Sequence, residues 1–443
     1  METGIAVSLV LFLFLILAGL PLGWVFLAST ATGLILMGSR LTFMAGTFFH
    51  SVFTPVVMAI GFFVFAGALI SEGGLADRIV RFSYALVGKA KGGLIVVGIV
   101  ATLFMSALTG SSVPCISALI PLLVPRLEKY GYMKKYTTAV LCSSSFLGYL
   151  IPPSVPALIY CLVAQQSVAA LFLATVFPGL LLALGYGILN YFIVDRYTFP
   201  TDEKPDLPDN FKDSMKELLS ATWTALPALG CPAIILVGIY GGIFTPNEAG
   251  AIAVIYCMVV GFFIYRDLKI GNFARAVTST LVTLGMIALL LGGGTVLTRL
   301  LTREGVAQQL ASMMLGLFES KFMIMISINL FLLLLGMFLD GIPILILAVP
   351  LILPLARELN VNLVHLGSII IVNIGLGVMT PPFAMSIFVG SRLSGVPAGE
   401  LIKPMMLFLL CVGIPVLLMT TYIPFLSCWL PTLALGQQVV GLW

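Results

Sequence analysis

The sequence predicts an all-α polytopic membrane protein, and three features support this prediction. Hydrophobic residues make up 60% of the 443 residues and charged residues only 9%, with a mean hydropathy of +1.15. A soluble chain of this length would need far more charge to cover its surface. Apolar runs of about 20 residues, the length that crosses a bilayer, recur along the chain. The third feature is an internal repeat.

A segment of 40 residues occurs twice and carries five prolines at matching places. Residues 114–153 align with residues 343–382 without a gap, at an offset of 229 residues. Only 8 of the 40 positions are identical, but five of these are prolines. Because proline interrupts a helix, the match predicts two repeats, each with a broken helix in an apolar segment.

The N-terminal part, 1–71, is predicted to hold three scaffold spans, at about 4–20, 22–39 and 52–71. No basic segment precedes the first run, so we expect a retained span and not a cleaved signal peptide. The first repeat, 72–194, follows. Its predicted parts are a basic amphipathic stretch (72–91), two apolar arms (92–108 and 114–125), a second basic stretch (126–135), a broken helix (136–166) and a span (168–194).

The two apolar arms of the first repeat are predicted to form a re-entrant hairpin, 92–127. Basic segments lie on both sides of the pair, and basic loops face the cytoplasm. Both ends should therefore lie on one side of the membrane. The second arm, of twelve residues, is also too short to cross alone.

The rest of the chain is predicted to repeat this plan. A cytoplasmic linker with a short surface helix is expected at 195–220, and scaffold spans are expected within 221–299, at about 222–242, 247–265 and 277–299. The second repeat, 300–427, is predicted to contain a polar amphipathic stretch (303–321), a hairpin (322–356), a broken helix (363–391) and a last span (402–425), before a tail at 428–443.

The distribution of charge predicts that the two repeats are inverted. With the base of the first hairpin in the cytoplasm, 17 of the 22 Lys and Arg residues fall on the cytoplasmic side. The exceptions are Arg40, Arg299, Arg303, Lys321 and Arg357. The base of the second hairpin is nearly neutral and falls on the opposite side, as expected for inverted repeats.

The proline pairs indicate where a binding site should be. Pro152 and Pro153 have no N–H, so the carbonyls of Gly148 and Tyr149 lose their helical donors. By the same reasoning, Pro381 and Pro382 leave the carbonyls of Gly377 and Val378 without helical donors. Free carbonyls at membrane depth are tolerated where they line a cavity or bind a ligand.

Neutral oxygens with at most one carboxylate suit a monovalent alkali cation better than Ca²⁺ or Zn²⁺. We therefore expect at least two sodium sites, one in each half, formed by a hairpin tip and the neighbouring broken helix. The candidate ligands are Ser106, Thr109, Gly110, Ser111, Ser144, Ser145, Gly148 and Tyr149 in the first half, and Asp340, Gly341, Asn373, Gly375, Gly377, Val378 and Thr380 in the second.

The N-terminal ends of the half-helices are predicted to face an anion, most simply a substrate carboxylate at the midplane, through free N–H groups and positive dipole ends. The candidates are Ser112, Pro153, Ser154 and Pro382. Structural interpretations remain open: prolines can mark simple kinks, serines can bond back to the preceding turn, and Asp340 can cap the following half-helix.

Other motifs are assigned structural roles. Thr245-Pro-Asn-Glu248 has the pattern of a capping box with proline at the first helical position. Gly292-Gly-Gly294 is expected to permit close packing, with no ligand. The seven cysteines show no disulfide or zinc spacing, and His50 and His365 favour packing or interfacial roles.

The chain resembles the large membrane subunit of TRAP transporters, the tripartite ATP-independent periplasmic transporters, over nearly its whole length. The resemblance rests on the segments 106–114, 148–156, 245–251, 337–341 and 377–382. It implies a sodium-driven secondary transporter of the bacterial inner membrane that works by an elevator motion. It also implies a separate small four-helix membrane subunit, a periplasmic substrate-binding protein and a carboxylate-bearing organic acid as substrate, in a lipid bilayer and without nucleic acid.

Three other functions are compatible with parts of the sequence. A stand-alone sodium/dicarboxylate elevator symporter would share the hairpin architecture but need no binding protein. An intramembrane hydrolase could use a serine of Gly110-Ser-Ser112 as its nucleophile. Neither histidine, however, lies in the core of a matching span, where it could act as the base. An ion channel would conduct without substrate.

Overall fold

The computed structural model describes residues 2–88, 92–201, 211–381 and 384–443. Among these residues, seven helices are long and apolar enough to cross a membrane, or eight if one bent pair counts as a single span. The described secondary structure is helical apart from an isolated antiparallel bridge between Tyr132 and Thr198. The predicted all-α polytopic fold is confirmed.

Four helices form the N-terminal part: α1 (Glu2–Leu17), α2 (Leu22–Leu36), α3 (Thr42–Val52) and α4 (Pro55–Glu72). Helix α3 was missed in the sequence, because its 11 residues are too few for a span. The span predicted at about 52–71 corresponds to α4, which has Pro55 at its start, and the Thr54 hydroxyl accepts a hydrogen bond from the N–H of Val57 at 3.4 Å.

The first repeat has the predicted order of elements. Its helices are α5 (Leu75–Val87), α6 (Gly93–Thr109), α7 (Ser112–Lys129), α8 (Lys134–Ser144), α9 (Leu147–Leu150), α10 (Val155–Ala164) and α11 (Val168–Ile193), which is extended by a 3₁₀ turn, Val194–Tyr197. One prediction is wrong: the second arm has 18 residues, not twelve. Residues up to Thr109 and from Ser112 are helical, so the polar turn of the hairpin shrinks to Gly110-Ser111.

Three long helices join the repeats: α12 (Phe211–Tyr240), α13 (Pro246–Val259), continued by a π-helical turn, Val260–Ile264, and α14 (Ile270–Arg303). The surface helix predicted in the linker is not separate, because it runs without a break into the following span as α12. The capping box at the start of α13 is present, with both the Thr245 hydroxyl and the Glu248 carboxylate engaged.

The second repeat contains α15 (Val306–Leu317), α16 (Lys321–Gly336), α17 (Gly341–Glu358), α18 (Leu363–Val378), α19 (Met385–Ser394), α20 (Ala398–Phe408), a π-helical turn (Leu409–Gly413) and α21 (Ile414–Tyr422), followed by α22 (Phe425–Leu435) and α23 (Gln437–Val440). The predicted tail is therefore largely helical. Helix α22 packs against α11, and Cys428 is fully buried.

The bases of the two hairpins lie near opposite ends of α11. The Asn190 side chain, close to the C-terminal end of α11, donates to the carbonyl of Gly92 at the first base at 3.2 Å. Near its N-terminal end, the carbonyl of Ala174 accepts from Ser368, which follows the second base, at 3.1 Å. A helix of 26 residues is about 39 Å long. The hairpins therefore enter from opposite sides, as the charge distribution predicted.

The two repeats also interlock. Helix α10, the second half of the first broken helix, packs against the hairpin arm α17 of the second repeat. Helix α19, its counterpart, packs against α7 and α8 of the first repeat. The Cys142 thiol of α8 donates to the carbonyl of Ser386 at 3.2 Å. Each half-helix is thus held by the opposite repeat, which places the two breaks side by side.

Glycines allow the scaffold helices to pack closely against one another and against the hairpins. Gly292, Gly293 and Gly294 face, respectively, the ring of Phe48, the turn of α2 at Gly23 and Phe26, and the side chain of Ile346 on α17. The packing role predicted for this triplet is confirmed. On α4, a Cβ at Gly67 would lie 3.1 Å from Cα of Thr109 at the first hairpin tip.

Candidate functional site

The first site lies where the tip of the first hairpin meets the first broken helix. Helices α8–α9 and α10 are bent by 41° at the break around Pro152 and Pro153. At the tip, Gly110 adopts a left-handed φ of 61°, which glycine tolerates without strain. A Cβ at Gly110 would clash with the carbonyl oxygen of Pro153, and one at Gly148 would lie 2.7 Å from the carbonyl oxygen of Ser111. Backbone therefore packs directly on backbone.

Hydroxyl groups join the first tip to its broken helix. The Ser112 and Ser145 hydroxyl oxygens are 2.8 Å apart, and the Ser144 hydroxyl oxygen lies 3.3 Å from that of Thr102. The predicted ligands Ser106, Thr109, Ser144 and Ser145 also donate to carbonyls three or four residues earlier in their own helices. Those bonds occupy the hydroxyl hydrogens and leave oxygen lone pairs available.

Three of the four carbonyls that the prolines free, those of Tyr149, Gly377 and Val378, accept other hydrogen bonds, contrary to the prediction. The carbonyl of Tyr149 accepts from the Ser154 hydroxyl at 2.6 Å. Its counterpart in the second half, the carbonyl of Val378, accepts from the Ser386 hydroxyl at 3.2 Å. The carbonyl of Gly377 accepts from the N–H of Thr380 at 2.9 Å. Buried carbonyls are nearly always paired, and each has a second lone pair with which it can still bind a cation.

The second site is built from the other hairpin and broken helix. Arm α16 and helix α18 cross at two glycines: a Cβ at Gly377 would lie 2.7 Å from Cα of Gly336. Asp340 ends the tip and precedes α17 without capping it through its side chain. Asn373 is fully buried, and its amide donates to Asn329 on α16. The predicted ligand Thr380 bonds back to the carbonyl of Leu376 at 2.7 Å.

The two sites touch each other across the interface between the repeats. The Tyr149 hydroxyl, from the first break, donates to the Asp340 carboxylate of the second tip at 3.2 Å. A Cβ at Gly341 would lie 3.3 Å from the ring of Tyr149, and one at Gly375 would lie 2.5 Å from the ring of Phe146. The structure therefore gathers the predicted residues of both halves into one continuous region, with Asp340 and Thr380 partly exposed at its edge.

The prediction of free N–H groups for an anion is wrong for α10. The N–H of Val155 donates to the carbonyl of Gly110 at 3.2 Å, Pro156 has none, and the N–H of Ala157 donates to the Ser154 hydroxyl at 3.3 Å. Ser112, Pro153 and Ser154 are buried. Helices α7 and α17 differ, because among the described residues no side chain caps either of them. Pro382, the remaining candidate, lies outside the described residues.

Sequence reasoning missed three residues that the structure places at the sites. Ser386 caps the carbonyl of Val378, Phe146 fills the contact with Gly375, and Asn329 holds Asn373. Asn329 carried a usable signal, because it is a polar residue in an otherwise apolar hairpin arm. The contact of Ser386 depends on how the chain turns at the second break, and that of Phe146 on how the two repeats pack together.

The fold and the paired sites define a class: a helical membrane permease made of two inverted repeats, each with a hairpin and a broken helix. Within that class, the chain belongs to the family described as the tripartite ATP-independent periplasmic transporter, DctM component, which matches residues 9–426. It is accordingly a transporter subunit and not an enzyme, and a multi-pass protein of the bacterial inner membrane.

Relatives support this assignment. The sialic acid TRAP transporter large permease protein SiaM of Vibrio cholerae is 33% identical, over 95% of this chain and 97% of its own length. The C4-dicarboxylate TRAP transporter large permease protein DctM of Pseudomonas aeruginosa is 34% identical, over 85% of this chain and 86% of its own length. The isethionate TRAP transporter permease protein DctMQ of Oleidesulfovibrio alaskensis is 33% identical, and the match covers 90% of this chain but 61% of that protein.

A solved structure shares the fold. The YdaH transporter of Alcanivorax borkumensis has a TM-score of 0.62 at 16% sequence identity, covering 95% of this chain and 98% of that chain. At this identity the likeness concerns the fold alone.

Proposed function

We propose that this protein is the large transmembrane subunit of a sodium-driven TRAP transporter. It imports a carboxylate-bearing organic acid that a periplasmic binding protein delivers, and it works with a separate small four-helix membrane subunit. The observation that carries the proposal is the contact between the two sites, where Tyr149 of the first break donates to Asp340 of the second tip. A single region built from both inverted repeats is suited to alternating access.

Sodium suits the oxygens gathered there. Apart from Asp340, the candidate ligands are hydroxyls, amides and backbone carbonyls, which are hard and neutral. One carboxylate matches the charge of a monovalent cation, whereas Ca²⁺ favours several. The first-half site consists of the hydroxyls of tip and broken helix, and the second contains Asp340 and Asn373. Both are sites for co-transported sodium.

The substrate carboxylate is assigned to the side of the tips. Helices α7 and α17 begin there without side-chain caps, so their positive ends attract an anion. The N–H groups at the N-terminal end of α10 already donate hydrogen bonds, so this helix contributes only its dipole. In the motion proposed here, the two hairpins and broken helices move together as an elevator against the scaffold helices α1–α4 and α12–α14, along the glycine contacts at Gly67 and Gly294.

The test is uptake into proteoliposomes that contain this protein with its small subunit and its binding protein. The labelled probes are a C4-dicarboxylate, sialic acid and the sulfonate isethionate, each with and without an inward sodium gradient. Uptake of a carboxylate that requires both the gradient and the binding protein is expected. Uptake indifferent to sodium would overturn the proposal, and sodium-driven uptake without the binding protein would favour the stand-alone carrier.

A further inference from the structure

A chain of polar side chains crosses the apolar interior of the second repeat. It runs from Asn373 on α18 to Asn329 on the hairpin arm α16, and then to Thr421 on α21. All three side chains are buried, with at most 5% of their surface exposed. Polar groups in such a setting are costly unless they are paired or bind a ligand.

Hydrogen bonding sets the orientation of the Asn373 amide. Its nitrogen donates to the backbone carbonyl of Asn329 at 3.1 Å and to the side-chain oxygen of Asn329 at 2.9 Å. Because both partners are acceptors, a rotated amide would place its oxygen against two oxygens and lose both bonds. Asn329 therefore holds the nitrogen of Asn373 on its own side and turns the oxygen away.

Thr421 sets the orientation of Asn329 in the same manner. The Thr421 hydroxyl donates its hydrogen to the carbonyl of Leu417 at 2.8 Å, so its oxygen can only accept. The Asn329 amide nitrogen donates to that oxygen at 2.9 Å. This bond forces the Asn329 side-chain oxygen towards Asn373. The direction of every bond in the chain is thus decided, beginning at the backbone of α21.

The chain ends in an acceptor without a donor. The side-chain oxygen of Asn373 is buried and has no hydrogen-bond partner within the described part of the chain. An unpaired buried acceptor costs about 1–3 kcal/mol. Asn373 lies one helical turn before Gly377, which is about 6 Å along the axis. An oxygen fixed in this way, on the helix that crosses the second hairpin arm at Gly377, has the properties of a cation ligand.

We propose that Asn329 and Thr421 are positioning residues that orient the Asn373 oxygen toward the sodium ion of the second site. The inference rests on the sodium coupling proposed above. Because Asn329 belongs to the hairpin arm and Asn373 to the broken helix, separation of α16 from α18 would remove both acceptors from Asn373 and free its amide to rotate. The sodium affinity of this site therefore depends on the position of the hairpin arm.

The experiment compares two neighbouring buried threonines of α21. Thr421→Val removes the acceptor for Asn329 and retains the shape of the side chain. Thr420→Val is the matched control, since the Thr420 hydroxyl makes the same kind of bond, to the carbonyl of Val416 at 2.8 Å, and takes no part in the chain. Thr421→Ser restores the hydroxyl, and Asn329→Leu removes the relay altogether.

The readouts are the sodium concentration that half-saturates uptake in proteoliposomes and the sodium-dependent rise in melting temperature of the purified protein. Thr421→Val should raise the half-saturating concentration about 3- to 10-fold, with the substrate KM at saturating sodium unchanged. Asn329→Leu should raise it further. Thr420→Val and Thr421→Ser should match the wild type.

Equal sodium dependence in Thr421→Val and Thr420→Val would overturn the inference, as would a change confined to the substrate KM. Thr421→Val keeps the comparison decisive if Asn329→Leu fails to fold. A wild-type protein with no sodium response would remove the proposed function itself. A sodium-dependent wild type with unaltered variants would remove only the positioning roles.

Discussion

The two repeats have the same prolines but different chemistry at their sites. In the first, a two-residue tip is packed backbone to backbone against the broken helix, and hydroxyls such as Ser112 and Ser145 join the parts. In the second, a longer tip ends in Asp340, and Asn373 presents an unpaired oxygen. At the offset of the repeat, Asp340 replaces Ser111 and Asn373 replaces Ser144.

This difference separates the roles of the backbone and the side chains. The prolines and the glycine pair Gly148 and Gly377 are common to both halves, and they create the breaks and the close contacts. The side chains at the equivalent positions then decide the charge. A single carboxylate at Asp340 makes the second half the more electronegative site, and Tyr149 links it to the first half. Substitutions at paired positions should therefore have unequal effects.

The largest difference in transport rate is expected between the Asp340→Ala and Ser111→Ala variants. Loss of the only carboxylate among the candidate ligands should lower the initial rate of sodium-driven uptake roughly 100-fold, because bonds to a charged group are the strong ones. Loss of the Ser111 hydroxyl should cost less than about 5-fold, since the structure assigns it no capping bond. Rates are measured at several sodium concentrations. Equal losses would mean that the two tips contribute equally.

Substitution of the paired glycines, Gly148 and Gly377, should instead have similar effects in the two halves. A Cβ at Gly148 or at Gly377 would meet backbone atoms at 2.7 Å, and overpacking of this kind costs about 1–3 kcal/mol. Gly148→Ala and Gly377→Ala should each lower the melting temperature of the purified protein and slow uptake. Gly187→Ala on α11 is the control, because a Cβ there meets nothing within 4 Å. A tolerated substitution in only one half would show that the two crossings are not equivalent.

Substitutions of the two serines that bind the freed carbonyls should differ less, and in their effect on folding stability. The Ser154 hydroxyl accepts from Ala157 as well as donating to Tyr149, whereas the Ser386 hydroxyl makes one bond within the described residues, to Val378. Ser154→Ala is expected to cost about 2 kcal/mol and Ser386→Ala about 1 kcal/mol of folding stability. Chemical or thermal unfolding measures both. Ser312→Ala on the exposed side of α15 provides the baseline, and a larger effect from Ser386→Ala would contradict the assignment.

The smallest effect on transport is expected outside the repeats, at the start of α13. Thr245→Ala removes the capping bond from the N–H of Glu248, at 3.3 Å, and should lower stability by about 1 kcal/mol. The half-saturating sodium concentration should not change, because this cap touches neither site. A shift in sodium dependence would connect the scaffold to the sites in a way that the contacts do not suggest.

Much of the fold followed from local sequence patterns. Apolar runs predicted most spans, basic loops predicted the inversion, and the proline pairs located both broken helices. The errors arose where a pattern had no local marker. Helix α3 is too short to resemble a span, α12 continues through a polar surface segment, and α22 is held by packing against α11. At the sites, the carbonyl of Tyr149 was predicted to be free, yet Ser154 folds back onto it.

By itself, the sequence determined the membrane class, the two repeats, their opposite orientation and the positions of the breaks. Hydropathy, charge and the missing N–H of proline are local properties, because each affects the structure within a few residues of its position in the sequence. Only the tertiary structure decided which oxygens remain unpaired and which residues meet across the repeats. Those outcomes depend on partners far along the chain, as with Asn329 and Asn373 or Tyr149 and Asp340. The prolines locate the breaks, and the packing of the opposite repeat decides what each break can bind.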